Sequence, residues 1–300
     1  MDNGITPHAS GAASATSAAP LSSSMQQQAA QPRRAPGISV RMPQAGFPVP
    51  PSTGMLAAPD SAPHFIDCLA PEYLRAQLHA AAREGNAAAV KRLAQACEYD
   101  LNTVDPVTDM SALMWAAHNG HAAALQALLQ AGAELDQTQS DGLTALMWAA
   151  IQGHTTMLQA LLQAGARVEP ATPTGITALM LAARNGHTAA LQALLKAGAT
   201  IDAADADGNT ALMWAAQRGY TATLQALLRA GARVELATPN GITALILAVF
   251  EGHTATVRAL LQAGAACDIK GRQGSIALCH AINRKHWNIV KLLRKHGVLD

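Results

Sequence analysis

The sequence predicts an all-α solenoid of helix-turn-helix units joined by extended finger turns, and three observations predict it. Gly142, Gly175, Gly208, Gly241 and Gly274 stand at a constant step of 33 residues, the length of one supersecondary unit and not of a domain. Thr144-Ala145-Leu146, Thr177-Ala178-Leu179, Thr210-Ala211-Leu212 and Thr243-Ala244-Leu245 keep the same phase. The units from Gly142, Gly175, Gly208 and Gly241 also carry a Gly-His or Gly-Tyr step and then a Leu-Leu pair followed by Ala-Gly-Ala. No such unit can bury its apolar face alone, so stacked neighbours must share one continuous core.

Residues 1–64 come first, and Ala, Ser, Pro, Gln and Gly dominate them; Asp2 is the only acid before Asp60, and Arg33, Arg34 and Arg41 are the only cations. Such a stretch buries too little apolar surface to offset its ordering entropy, so a disordered leader is expected there. Phe65, Ile66, Cys68 and Leu69 bring apolar side chains back, and a repeat domain of about seven units is expected over 65–300. Pro71-Glu72 fits a helix start, with Pro at the first helical position and an acid in the first turn.

Leu78-His79-Ala80-Ala81-Ala82 followed by Gly85-Asn86 forms the first unit. Leu78 and Leu113 lie 35 residues apart, so two extra residues are expected between Cys97 and Asp109. Later units start near Asp109, Gly142, Gly175, Gly208 and Gly241, and a seventh begins at Gly274 and is cut short at Asp300. In the unit from Gly142, Thr144 is the expected cap of a helix with Leu146, Ala149 and Ala150 at helical spacing, ended by Gly153. A second helix carries Leu158, Leu161 and Leu162, and Gly165 sits where a left-handed C′ glycine belongs. Ala166 to Thr174 then runs out as an extended finger.

This pattern resembles the ankyrin repeat, whose family motif reads T-P-L-H-x-A-A, then G-H, then a Leu-rich second helix ending in G-A. Internal units depart from it, with Ala145, Ala178, Ala211 and Ala244 at the Pro position and Met147, Met180, Met213 and Ile246 at the His position. In the family that His joins a hydrogen-bond network between adjacent turns, so packing by thioethers is expected to replace it. A longer period lies beneath the first: the unit from Gly142 matches the unit from Gly208 at 24 of 33 positions but its neighbour from Gly175 at 19. Trp148 and Trp214 thus alternate with Leu181 and Leu247, and the Asp141 and Asp207 tips with Thr172-Pro173 and Thr238-Pro239. Duplication in pairs accounts for this without any function.

In ankyrin proteins the two residues before the Gly of G-H, together with the fingertips, line a concave binding groove. The resemblance implies that role for His118-Asn119, Ile151-Gln152, Arg184-Asn185, Gln217-Arg218, Phe250-Glu251 and Asn283-Arg284, with Asp141 and Asp207 at the tips. Trp115, Trp148 and Trp214 are further candidates because Trp is enriched among interface hot spots; each ring could equally pack across to the next repeat. Phe250 is expected to be exposed and is a better single candidate than any one Trp.

His121, His154, His187 and His253 resemble a metal ladder, but the family has the same His at its turn for structural reasons, and Tyr220 replaces it once. Cys68, Cys97, Cys267 and Cys279 lack zinc or disulfide-framework spacing, which favours a reducing, cytoplasmic compartment. No catalytic constellation stands out, no cofactor is expected, and no apolar run is long enough for a membrane span. A formal charge of +1 lacks the footprint of a nucleic-acid binder. Charge is nonetheless uneven: Leu93 to Ala166 holds seven acids and no Lys or Arg, whereas Lys270, Arg272, Arg284, Lys285, Lys291, Arg294 and Lys295 reverse the sign. The basic end reads either as the polar face of a capping repeat or as one pole of a partner-orienting surface.

The expected function is capture of an unidentified protein in the concave groove by a monomer. The Ser/Ala/Gln-rich, charge-poor leader also resembles those of bacterial type III secreted effectors, which would place the target in a host cell. A resident cytosolic adaptor is the alternative, and a repeat-decorated enzyme the reading from another class.

Overall fold

The computed structural model describes residues 71–95, 100–266 and 272–297. The expected disordered leader over 1–64, the apolar cluster at 65–69, and Cys97, Cys267, Lys270 and Asp300 lie outside the described residues. Among the described residues fourteen helices fall in seven consecutive pairs: α1 Pro71–Glu84 with α2 Ala87–Gln95, α3 Ala112–Asn119 with α4 Ala122–Gln130, and α5 Ala145–Gln152 with α6 Thr155–Gln163. They continue as α7 Ala178–Arg184 with α8 Thr188–Lys196, α9 Ala211–Arg218 with α10 Thr221–Arg229, α11 Ala244–Glu251 with α12 Thr254–Gln262, and α13 Arg272–Asn283 with α14 Trp287–Lys295.

The local grammar sets the ends of these helices. Ser111, Thr144, Thr177, Thr210 and Thr243 are extended residues whose hydroxyls accept from the backbone N–H three residues on, at 3.3–3.4 Å, which satisfies a donor the helix leaves open. Gly120 ends α3 in the left-handed region (φ 77°) and returns its N–H to the Ala116 carbonyl. A Cβ at Gly120 would also lie 2.8 Å from His154 Cε1 of the next unit, so glycine is required by backbone and packing together. Ile276 stands where other units carry the capping Thr, and α13 begins earlier, at Arg272, taking Gly274 into the helix. The seventh unit, expected to be cut short, has both helices of its pair.

First helices pack on first helices and second on second. From α3 to α13 the first helices meet over more residues than the second helices alongside them. The cause is in the sequence: Ala116-Ala117, Ala149-Ala150, Ala182-Ala183 and Ala215-Ala216 are fully buried between first helices and let backbones approach closely, while Leu125, Leu128, Leu158, Leu161, Leu191, Leu194, Leu224 and Leu227 fill the wider layer behind. Each unit is therefore a wedge that is narrower at its first helix, and stacked wedges curve toward that side.

The fingers are narrow turns closed by isolated bridges between Ala171 and Thr177, Ala204 and Thr210, and Ala237 and Thr243. Gln139, Thr172, Asp205 and Thr238 each donate a backbone N–H to the carbonyl four residues on. In the second unit Asp105 reaches Met110, five residues on, which locates one of the two extra residues at this tip. Asp109 there occupies the position of the turn glycines, with a positive φ of 57°, a conformation that Asp tolerates better than most residues.

Met114, Met147, Met180 and Met213 are each 1% exposed, so thioethers do fill the sites where the family motif has His. His79 of the first unit is buried and keeps a polar link, its Nε2–H donating to the Thr103 carbonyl at 2.8 Å.

Candidate functional site

The candidate groove is the surface made by the last turns of α3, α5, α7, α9, α11 and α13, and the structure divides the residues expected there into two sets. In the first set the side chains are consumed by the fold. Trp115, Trp148 and Trp214 are 5%, 1% and 6% exposed, so of the two readings open for these rings the burial favours framework packing. The reason is the close spacing of the Ala-rich first helices, which sets each indole against a side chain of the preceding unit: Arg83 on Trp115, His118 on Trp148 and Arg184 on Trp214. Ile151 is buried as well.

His118 lies edge-on between the indoles of Trp115 (5.9 Å) and Trp148 (4.9 Å) and accepts at Nδ1 from Gln152 Nε2 at 3.0 Å. Burial, reinforced by nearby His154, pushes its pKa down to about 4, which keeps that acceptor nitrogen neutral. Asn119 Nδ2 donates to the Arg83 carbonyl and Asn185 Nδ2 to the Leu181 carbonyl. In the N-terminal half of the groove, then, the polar ends of His118, Asn119 and Gln152 have partners within the chain.

The second set lies further along. Arg184 is half-buried, its guanidinium 5.1 Å from the centre of the Trp214 ring. Gln217 is partly exposed, and Arg218 and Glu251 are exposed. Phe250, expected to be exposed, is only partly so: Arg284 covers its ring at 3.8 Å and His280 meets it edge-on at 5.3 Å. An accessible aromatic face attracts a cation from the next unit. Arg83 and Glu84 stand before Gly85 in the same position; the sequence reading missed them because Asn86 replaces the His that marks the step elsewhere.

The histidines after each glycine hold the units together. Nε2–H donates across one unit from His121 to Arg83, His154 to His118, His187 to Ile151 and His253 to Gln217, each to a carbonyl at 2.9–3.1 Å. Their regular step is thus the period of a backbone link.

The acids are largely employed in turns. Asn102, Asp136, Glu169, Asp202 and Glu235 each accept from a backbone N–H of the next unit, on Glu134, Arg167, Thr200, Arg233 and Ala266, at 2.7–3.1 Å. Asp105 accepts from Val107 and Thr108, Asp109 from Ser140, and Asp141 from Leu143. Asp207 remains an exposed tip. The two-unit alternation also has a physical content: Gly142 and Gly208 leave room for Pro173 and Pro239, whose Cδ atoms would lie 2.6 and 2.7 Å from an added Cβ. Asp-Gly tips therefore fit under Thr-Pro tips.

Among the described residues no helix is long and apolar enough to cross a membrane. The sequence matches the family model for ankyrin repeats, in three copies, over residues 78–172, 168–238 and 223–299. No curated protein matches the chain.

Proposed function

The chain belongs to the ankyrin-repeat family, and from that premise we propose that it binds a partner protein in the groove along its first helices, chiefly over α7, α9 and α11. One observation carries the reading. Arg184, Gln217, Arg218 and Glu251 share the groove-facing position of successive units, and the fold has no hydrogen bond or ion pair for their polar ends among the described residues. A scaffold that employs His118, Asn119 and Gln152 internally and leaves these four free concentrates recognition in its C-terminal half. Phe250, with Arg284 stacked on it, adds an apolar contact there. The test is retention of a captured partner by the full chain. Arg184→Ala with Gln217→Ala and Phe250→Ala should release it, whereas Gln159→Ala with Gln192→Ala on the second helices should not; the reverse pattern would move the site to the other face.

The composition of residues 1–64 supports a finer reading, that the chain is a bacterial secreted effector acting on a host protein. A reporter fused to residues 1–70 should leave a secretion-competent cell; retention inside would favour a resident adaptor.

A further inference from the structure

Within that groove, and resting on the groove reading, we propose that Arg184 and Arg218, set about the Trp214 ring, form a seat for a carboxylate on an acidic segment of the partner protein. Trp214 and Arg218 are four residues apart on α9 and share a helix face. Arg184 reaches over the same ring from α7, 5.1 Å from its centre. A guanidinium stacked by its face keeps its edge N–H groups available, the geometry that takes a carboxylate in bidentate fashion.

The two cations stand together without compensation. Burial first and the neighbouring Arg218 second pull the Arg184 pKa below its ordinary value, so the Arg184 guanidinium is held where a negative charge would be favourable. Among the described residues no carboxylate pairs with either. Glu251 on α11 is the one acid among the groove positions of α7, α9 and α11, and it makes no ion pair with Arg218. The flanking groups are neutral: Gln217 has a free amide, while Asn185 is bonded to Leu181. Of the other groove cations, Arg83 has Glu84 beside it in sequence, and Arg284, stacked on Phe250 at 3.8 Å, shares the aromatic support of Arg184 but has Phe250, Glu251 and Asn283 at the neighbouring groove positions and no second arginine. A second copy of this chain is the weaker occupant, because Asp105, Asp109, Asp136 and Asp141 of its acid-rich stretch already accept turn N–H groups.

The probe is a fluorescently labelled decapeptide of alternating Glu and Ala, titrated at low salt against the full chain, with an alternating Gln-Ala peptide and a ten-nucleotide oligo-dT as comparisons. The Glu-Ala peptide should bind saturably and tightest of the three. Arg184→Gln with Arg218→Gln should weaken it by about tenfold or more, as loss of paired charges across an interface does, and Lys291→Gln with Lys295→Gln on α14 should leave it unchanged. Absence of saturable binding, equal loss with the α14 variant, or tighter binding of oligo-dT would overturn the carboxylate seat. Equal binding of the Gln-Ala peptide that still needs Gln217 and Phe250 would overturn the seat and leave the groove standing. Binding that no groove substitution alters would remove both.

Discussion

Trp148 and Trp214 occupy one place two units apart and differ in how the indole N–H is satisfied. Trp148 Nε1–H donates to Gln139 Oε1 at 2.6 Å. The residue equivalent to Gln139 is Asp205, whose carboxylate accepts from the backbone N–H of Asp207 and from Asn209, and the buried Trp214 Nε1 has no partner. Trp148→Phe should therefore be more destabilising than Trp214→Phe by about 0.5–1.5 kcal/mol, because it removes a hydrogen bond to the part-buried Gln139 where the other removes an orphan donor; denaturant melts of the two variants read the difference. His118 supplies a second test. Its folded pKa of about 4 lies below the ordinary 6.5, so the unfolded chain binds the proton more readily. Stability is then fully present above about 6.5 and declines as pH falls toward 4. Burial lowers His79 and His280 as well, in the same sense. His118→Gln should flatten part of that acid decline, and an unchanged pH profile would contradict the assignment.

At the scale of the element, two glycines with the same sign of φ separate backbone strain from packing. Gly120 closes α3 against His154, and Gly165 follows α6 with nothing within 4 Å of an added Cβ. Each Ala substitution meets left-handed strain of about 1 kcal/mol or more, and only Gly120→Ala must also displace the ring whose N–H holds the His118 carbonyl. Thermal melts should rank Gly120→Ala below Gly165→Ala; the opposite order would mean that the histidine link carries little. These caps were legible in the sequence, because Thr144, Gly153 and Gly165 act through neighbours three to five residues away. The fate of the groove residues was not. Arg184 meets Trp214 thirty residues on, and Gln152 meets His118 thirty-four residues back, and one unit's sequence does not show which of two adjacent side chains its neighbour will claim. For the same reason Phe250 reads as an exposed contact in the sequence although Arg284 lies over its ring.

For the whole molecule, stability is a sum over units and their shared faces. Leu179 in the fourth unit and Leu278 in the seventh are equivalent and buried. Leu179→Ala should cost about 2–5 kcal/mol as a core truncation, and Leu278→Ala less, since it weakens a unit with one described neighbour instead of two; equal costs would contradict nearest-neighbour stacking. The proposed binding site divides the molecule along the other axis, between the layer of first helices and the layer of second helices. A photo-crosslinking amino acid at Gln217 on α9, compared with the same residue at Gln192 on α8, tests that division directly in the full chain. Covalent capture of a partner protein from position 217 and none from 192 is the predicted result; capture from 192 alone would contradict it.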